Sequence, residues 1–229
     1  MLATWLSPRS IEEFLLQHMG RAPHAQPGTA SNALGLFDWD VLERLLGTFH
    51  SGPGNSGTGS EPDMLVAHRG RLVDVPPPRS LKEVRQLMAR SLGVVLRKAE
   101  RHDARLAALA EAFARDLPGQ VHVQLYVTPA GTQTFGWHYD DEEVFIAQTL
   151  GVKDYYIREN TVAPAHRRSR QPDFSAVRRE TSPLLSARLI AGDWLYIPAR
   201  WWHLVSSVED ALSISIGVVP RAPALRRQG

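Results

Sequence analysis

Two residue types that bind metals stand two positions apart in the middle of the chain. His138 and Asp140 fall in the segment 136–140, which reads GWHYD. Residues two positions apart on a strand point to the same face, so this imidazole and this carboxylate can meet at one point. A His-x-Asp triplet also arises by chance, and a single strand histidine is more often a hydrogen-bonded core residue. The pair alone is therefore weak evidence for a metal site.

A second histidine strengthens that evidence. His203 follows Trp201 and Trp202, after a turn and strand at 192–198 that reads GDWLYIP. In a jelly roll, strands this far apart in the chain become neighbours. Two histidines and one carboxylate on one side of a metal leave positions open for other ligands, which is typical of non-haem Fe(II) oxygenases. The sequence therefore predicts an Fe(II) site formed by His138, Asp140 and His203.

Polar residues at alternating strand positions indicate what would surround such a site. Ser213 and Ser215 share one face of a strand whose other face is apolar, and Gln124 and Tyr126 share a face of another strand. Lys153 opens a further strand. If it points into a barrel it needs a counter-charge, because an unpaired buried ammonium is very costly, and a ligand carboxylate would supply one. A lysine in a surface hairpin is the alternative explanation from the residues alone.

The apolar period changes from helical to strand-like along the chain. Helices are predicted at 11–18, 38–46, 80–88 and 103–117, the first with a capping box formed by Ser10 and Glu13. Strands are predicted at 64–75 (a pair), 93–96, 121–127, 143–148, 153–158, 187–189, 194–197, 203–207 and 212–218. Short strands joined by Gly, Pro and Asp turns indicate a jelly roll, with the helices covering one outer face.

These elements predict one domain over residues 1–229. A mostly helical part at 1–117 precedes a jelly-roll core at 120–220, and flexible loops are expected at 51–62 and 161–186. Arginines cluster between Arg167 and Arg188. They form either a solvated insert or a docking surface for an acidic partner or substrate.

Composition narrows the functional classes. The chain has no cysteine, so disulfides and thiolate sites are excluded and a metal must be held by His, Asp or Glu. No apolar run approaches the roughly 20 residues that cross a bilayer, and the first residues do not read as a secretory signal. The expected location is therefore cytoplasmic. A formal charge of +2 does not by itself indicate a nucleic-acid partner.

Two stretches resemble the cupin-like Jumonji C family that includes the ribosomal oxygenases. The first runs from 124 to 155 and contains GWHYD; the second is GDWLYIP at 192–198, which leads to His203. The order of strand and helix at 93–117 fits the family as well, and the opening at 11–23 fits it more faintly. The resemblance spans most of the chain and is most specific at 128–153.

The resemblance implies a double-stranded β-helix fold and an Fe(II)- and 2-oxoglutarate-dependent hydroxylase. His138, Asp140 and His203 match the metal ligands of the family. Lys153 matches the residue that binds the distal carboxylate of 2-oxoglutarate, and Ser215 matches an assisting hydroxyl. In such enzymes O₂ is the second co-substrate, succinate and CO₂ are released, and a C–H bond is hydroxylated. The substrate would be a protein or peptide side chain, or a small metabolite.

Other positions carry weaker expectations. Ser213 is a second candidate for the assisting hydroxyl, and Tyr126 lies on the face of Gln124. Gln124 stands where relatives carry an asparagine near the co-substrate, so the amide is kept on a longer arm. The three tryptophans beside the ligands are expected mainly in the core, with a smaller chance of contacting substrate: Trp137, Trp201 and Trp202.

Two alternatives remain. A metal-dependent cupin enzyme that does not use 2-oxoglutarate (an isomerase, a lyase or another dioxygenase) would not need Lys153. A non-enzymatic binding module would be free to lose the three predicted ligands. Larger ribosomal oxygenases carry a helical dimerisation region and a winged-helix region after the oxygenase core, whereas only 221–229 follow the last strand here. The sequence leaves ribosomal substrates, and the choice between monomer and homodimer, open.

Overall fold

A computed structural model describes residues 1–51, 63–162 and 174–219 of the protein. Its α-helices precede the long strands: α1 (Leu2–Leu6), α2 (Ile11–Gln17), α3 (Trp39–Ser51), α4 (Leu81–Ala89) and α5 (Ala104–Asp116). The predicted capping box on α2 is confirmed, since Ser10 Oγ accepts from the Glu13 amide at 3.1 Å and the Glu13 carboxylate accepts from the Ser10 amide at 2.9 Å. Asp103 caps α5, since its carboxylate accepts from the amides of Arg105 and Leu106. Short 3₁₀ helices cover Ser31–Leu36, Ala99–Arg101 and Phe174–Arg179.

The strands form two antiparallel sheets. The larger one has the order β1-β9-β6-β11-β5-β4-β2-β3 and the smaller one the order β10-β7-β8. The bounds are β1 (His24–Gln26), β2 (Met64–His68), β3 (Arg71–Leu72), β4 (Gly93–Leu96), β5 (Gln120–Thr128), β6 (Glu143–Leu150), β7 (Lys153–Arg158), β8 (Leu185–Leu189), β9 (Trp194–Ile197), β10 (Trp202–Ser207) and β11 (Ala211–Val219). The predicted jelly-roll fold is confirmed.

The large sheet has two faces of different character. On β11, Ile214 and Ile216 join the main core, which also contains Leu125 of β5 and the apolar faces of the helices. Ser213 and Ser215 alternate with them and face the small sheet instead. The helices therefore cover the outer face, as predicted, and the space between the two sheets is left for a site.

A smaller apolar cluster closes part of that inner space. It joins residues of β6 and β9 with residues of β7 and β8, among them Ile146, Ile157 and Ile197. Because this cluster fixes the distance between the sheets at one end, the polar inward residues at the other end can surround a cavity. No helix among the described residues is long and apolar enough to cross a membrane.

Several elements differ from the predictions. Helix α1 and strand β1 were not predicted; each is too short to show a period. The loop predicted at 51–62 lies outside the described residues except for its first position, which ends α3. The loop predicted at 161–186 lies partly outside them. Its described part contains the 3₁₀ helix Phe174–Arg179 and the start of β8, ordered by contacts of Glu180 described below.

The arginine cluster also lies partly outside the described residues. Arg167 falls outside the described residues, as do the neighbouring arginines up to 170. Arg178 and Arg179 are exposed on the 3₁₀ helix. Arg188 makes two hydrogen bonds to the Asp154 carboxylate, at 2.7 and 2.9 Å, so it stabilises the pairing of β7 with β8.

Candidate metal centre and its cavity

The backbone brings His138 and His203 face to face. The His138 amide donates to the His203 carbonyl at 3.1 Å, and the His203 amide donates back to the His138 carbonyl at 2.8 Å. This pair is an isolated bridge, so 136–140 is not part of a regular strand, although the expected convergence of His138 and Asp140 assumed one. Asp140 is held separately, because its carbonyl accepts from the Arg200 amide at 2.7 Å. The three residues nonetheless meet, as their spacing predicted.

The donor atoms of His138, Asp140 and His203 lie within 4.8 Å of one another. Two metal–ligand bonds of about 2.1 Å span at most about 4.2 Å, so a small side-chain adjustment brings all three onto one ion. The His138 Nδ1–H donates to the Gly136 carbonyl at 2.7 Å, and the His203 Nδ1–H donates to the Trp201 carbonyl at 3.0 Å. Each ring is thereby oriented through Nδ1, which leaves Nε2 to bind a metal.

The electrostatics suit a cation. Burial lowers the pKa of His138 to about 4, and the neighbouring His203 adds to that effect, so the His138 imidazole is neutral at physiological pH. Burial raises the pKa of Asp140, but hydrogen bonding to His203 and the charges of both histidines outweigh it and bring the pKa to about 2. A neutral imidazole and an ionised carboxylate are the forms that bind metals. Burial lowers the pKa of His203, but its hydrogen bond to Asp140 and the charge of that carboxylate outweigh burial and raise the pKa, so a metal ion would bind there in place of a proton. Two imidazole nitrogens and one anionic oxygen fit a divalent ion such as Fe(II).

The three side chains line a cavity that is partly open to solvent, and the empty space within it and at its mouth is about 580 Å³. Its wall combines apolar groups from both sheets with a few polar ones. The residues that line it besides the three are Tyr126, Thr128, Thr134, Phe135, Val144, Ile146, Lys153, Tyr155, Val205, Ser213 and Ser215. A mostly apolar wall with a few convergent polar groups is typical of a small-molecule site.

Lys153 is the only cation in that wall, and its side chain is buried. Its Nζ donates to Ser213 Oγ at 2.8 Å and lies 5.9 Å from the centre of the Tyr126 ring. No carboxylate among the described residues forms an ion pair with it. Burial lowers the pKa of Lys153 to about 7. The cavity thus contains a buried lysine amine that no carboxylate of the described residues pairs with, and a surface hairpin position for Lys153 is excluded.

The two serine candidates occupy different places. Ser213 contacts Lys153 directly, and its hydroxyl also hydrogen-bonds the Tyr155 side chain. Ser215 lines the cavity two positions further along β11. The sequence favoured Ser215 over Ser213 as the assisting hydroxyl, whereas the contacts favour Ser213. The register of β5 and β11 places Ser213 opposite Tyr126, whose ring also lies near Lys153, and places Ser215 opposite Gln124.

Tyr126 lines the cavity, but Gln124 is not among the lining residues. The Gln124 amide lies 3.4 Å from the Tyr126 hydroxyl oxygen and 3.4 Å from the His122 ring. His122 in turn pairs with Glu142 at 3.0 Å, which raises the pKa of His122 despite its burial. The longer arm thus places the Gln124 amide among neighbours of its own strand. His122 and Glu142 form no recognisable motif, so the sequence did not indicate this pair.

The three tryptophans have different environments. Trp202 is completely buried, and its ring packs edge-on against Tyr139 at 4.9 Å. Trp137 and Trp201 are half-buried beside the ligands and do not line the cavity. The sequence analysis also missed Phe174, whose ring centre lies 6.4 Å from that of His138. Hydrophobic spacing gives no signal for such a residue in an irregular segment.

Comparison with known proteins agrees with this geometry. Residues 96–225, more than half of the chain, match the model of the JmjC domain. Ribosomal oxygenase 1 of Gallus gallus is 28% identical over 239 aligned residues, which cover 95% of this chain and 36% of that protein. A bifunctional lysine-specific demethylase and histidyl-hydroxylase of Dictyostelium discoideum is 34% identical over 98 residues, or 43% of this chain and 19% of that protein.

Solved structures share the fold. The structure of YcfD, a ribosomal oxygenase from Escherichia coli, in complex with cobalt and 2-oxoglutarate aligns with a TM-score of 0.66 at 22% identity. That alignment covers 96% of this chain and 53% of the other. The chain therefore spans about a third of ribosomal oxygenase 1 and about half of YcfD. On the strength of the matched segment, which contains all three clustered donors and Lys153, this chain belongs to the JmjC domain family.

Proposed function

We propose that the protein is an Fe(II)- and 2-oxoglutarate-dependent oxygenase that hydroxylates a C–H bond of a protein or peptide side chain. One observation carries the proposal: the cluster of His138, Asp140 and His203 opens into the same cavity as a buried lysine that has no carboxylate partner among the described residues. A keto acid with two carboxylates has one end that suits the metal cluster and another that suits the lysine. Its keto-acid group suits the metal, and its distal carboxylate suits Lys153.

The chain supplies the geometry for that chemistry. His138, Asp140 and His203 would hold the iron, which together with 2-oxoglutarate and O₂ supplies the oxidising power when bound. Lys153 neutralises the distal carboxylate, and Ser213 orients the Lys153 ammonium. Val144, Ile146 and Val205 keep the wall between the two ends apolar, which limits access of water. The Gly136 and Trp201 carbonyls hold the two imidazoles in orientation.

The relatives support a protein substrate. Their names describe oxygenases of the ribosome and a histidyl-hydroxylase, and both kinds of enzyme act on proteins. Phe174 is 40% exposed and its ring centre lies 6.4 Å from that of His138, so an exposed aromatic side chain next to the metal cluster is available to contact a polypeptide substrate. A small metabolite is the second candidate substrate, and the open side of the cavity favours it less.

A cupin enzyme that does not use 2-oxoglutarate is the alternative function. Such an enzyme would use the same metal cluster, so the two proposals differ only in what they require of the part of the cavity that contains Lys153. A buried ammonium without an anion costs free energy, which an enzyme without a dicarboxylate would have no reason to retain. Lys153 therefore favours the oxygenase.

Anaerobic titration of the Fe(II)-loaded protein with 2-oxoglutarate tests the proposal. Wild type should develop the visible charge-transfer band of an iron–keto-acid chelate. His138→Ala should lose metal binding, because only two donors remain. Lys153→Ala should bind metal normally but need a much higher 2-oxoglutarate concentration. His102→Ala removes a histidine that stacks on Phe49 instead, and serves as the matched control.

The outcomes separate the candidates. A band in wild type and His102→Ala that weakens in Lys153→Ala supports the oxygenase. Folded, metal-loaded wild type without a band would favour the cupin enzyme that does not use 2-oxoglutarate. Folded wild type that binds no divalent metal would leave only a binding module.

A further inference from the structure

A buried carboxylate lies beside the metal cluster without belonging to it. Glu180 is 6% exposed and pairs with no cation among the described residues. Its Oε2 accepts from the amides of Thr161 and Val162 at 2.9 and 3.3 Å, and its Oε1 accepts from the Thr161 hydroxyl. Burial raises the pKa of Glu180, but these hydrogen bonds and that from Trp202 bring it down to about 2. The group is thus ionised and held by N–H and O–H donors alone.

The fourth donor connects Glu180 to the metal centre. The indole Nε1–H of Trp202 donates to Glu180 Oε2 at 3.2 Å. Trp202 directly precedes His203 in β10. It also directly follows Trp201, whose carbonyl orients the His203 ring through Nδ1 at 3.0 Å. Any rotation of the Trp202 backbone therefore moves both the ligand and the carbonyl that orients it.

The 3₁₀ helix that precedes Glu180 places an aromatic ring near His138. Phe174 opens the 3₁₀ helix that ends just before Glu180, and it is 40% exposed. Its ring lies 6.4 Å from that of His138, 5.6 Å from that of Tyr139 and 6.4 Å from that of Trp202, measured between centroids. Ala176 of the same helix is buried in a small cluster with Tyr139 and Trp202. The residues just before Glu180 thus pack across both ligand-bearing segments.

We propose that Glu180 is a positioning residue for the metal centre. Its carboxylate joins residues 161–162 to the indole of Trp202. It thereby fixes the backbone around His203 and docks Phe174 beside His138 as an outer wall of the active site. The inference rests on the proposed metal site, but it adds a residue that contacts neither the metal nor the cavity.

The hydrogen bonds of Glu180 predict different effects for its replacement by alanine and by glutamine. Glu180→Ala leaves the buried indole N–H of Trp202, and the amides of Thr161 and Val162, without this acceptor, and the loss is costly for the buried indole. Glu180→Gln keeps an acceptor oxygen in the place of Oε2. Its amide NH₂ then replaces Oε1 and faces the Thr161 hydroxyl, which can turn to accept. The conservative variant should therefore restore most of what the alanine variant loses.

Asp193 offers a matched control. It is also a buried carboxylate that accepts from two backbone amides, those of Gly28 at 2.8 Å and Ile190 at 3.0 Å. It lies in the turn before β9 and contacts no metal-ligand segment. Asp193→Ala should lower thermal stability without changing the metal centre.

Co²⁺ affinity, read from the visible absorption of the bound ion, is the deciding measurement. Glu180→Ala should weaken Co²⁺ binding at least about tenfold, the usual scale for groups that orient a ligand, and Glu180→Gln should stay within about threefold of wild type. Asp193→Ala should bind Co²⁺ as wild type does. Hydrogen exchange of 161–162 and 174–180 should accelerate in Glu180→Ala only. If Glu180→Ala does not fold, Trp202→Phe, which removes the indole donor and keeps an aromatic ring in the cluster, should weaken binding several-fold.

Two results would overturn the inference. One is a folded Glu180→Ala, or Trp202→Phe in its place, with the Co²⁺ affinity of wild type. The other is an equal loss of affinity in Asp193→Ala, which would reduce the effect to general destabilisation. Wild type that binds Co²⁺ but gives no charge-transfer band with Fe(II) and 2-oxoglutarate would contradict the proposed function alone, since these variants read metal binding only.

Discussion

The ammonium of Lys153 donates to the hydroxyl of Ser213 across the gap between the two sheets, at 2.8 Å. Lys153 is the first residue of β7, and Ser213 lies on the inner face of β11. The two residues are 60 positions apart and meet only because the sheets close on each other. The end of the cavity away from the metal is therefore defined by this pair.

Ser213→Ala should weaken 2-oxoglutarate binding more than Ser215→Ala. Loss of one hydrogen bond to a charged group costs about 1.5–3 kcal/mol, or roughly tenfold or more in Kd. Ser215 has no hydrogen bond to Lys153, so its loss should cost less than about threefold. Titration of the charge-transfer band in each variant measures the difference. A larger effect for Ser215→Ala would restore the order that the sequence favoured.

Binding of 2-oxoglutarate should weaken as the pH rises above neutral. The carboxylate needs the protonated form of Lys153, whose pKa burial lowers to about 7. Below that pH the amine is already charged, and above it each pH unit should cost up to about tenfold in affinity. Lys153→Arg stays charged throughout and serves as the control, so its affinity should not change between pH 6 and 9. The same slope in Lys153→Arg and wild type would assign the pH dependence to another group.

The same burial predicts a stability gain on removal of the charge. The pKa of Lys153 is about 7 in the folded chain and about 10.4 when unfolded, so between these values the unfolded chain binds more protons. The contribution of Lys153 to the free energy of unfolding therefore rises with pH. Lys153→Met, which keeps the length of the side chain, should raise the unfolding temperature at pH 7, by a margin that shrinks by pH 9.

Lys82→Met is the control for that comparison, because Lys82 is exposed on α4. Its unfolding temperature should match that of wild type at both pH values. Lys153→Met should at the same time lose 2-oxoglutarate binding. An unfolding temperature below that of wild type at pH 7 would show that the Ser213 contact outweighs the cost of burying the ammonium.

Residue types and alternation were enough to predict that the donor atoms of His138, Asp140 and His203 meet and that polar side chains of β11 face inward. Histidine, aspartate and glutamate are the remaining ligands in a chain without cysteine, and the period of two assigns Ser213 and Ser215 to one face whatever the register is. The strand bounds of β7 and β9 agree with the predictions, because turns with Gly flank both. These features depend on local sequence alone.

The remainder depends on contacts between distant segments. The orientation of the Gln124 amide could not be predicted from the sequence, because the amide contacts His122 and Tyr126 of its own strand and does not line the cavity. Nor does it indicate Glu180, whose donors lie about 20 residues before and after it. The segment 136–140 forms a single bridge and no strand because only His203 pairs with it. These contacts form only when segments distant in the sequence are brought together by the folded structure.

The turn that precedes Lys153 provides a last prediction. Gly151 has φ +72°, and a Cβ there would lie 2.3 Å from the carbonyl oxygen of Asp210. Both the positive φ and this backbone contact oppose a side chain, so Gly151→Ala should destabilise the fold by at least about 2 kcal/mol. Because the same turn sets the start of β7, the affinity for 2-oxoglutarate should fall as well.

Gly47 is the matched control. It lies inside α3, where a Cβ would meet no heavy atom of the described residues within 4 Å. Alanine is the better helix former, so Gly47→Ala should stabilise the fold by about 0.5–1 kcal/mol. Denaturant unfolding of both variants measures the two shifts, which should have opposite signs. If Gly151→Ala unfolded within about 0.5 kcal/mol of wild type, the β6–β7 turn would be adaptable, and Lys153 would not be held in place by it.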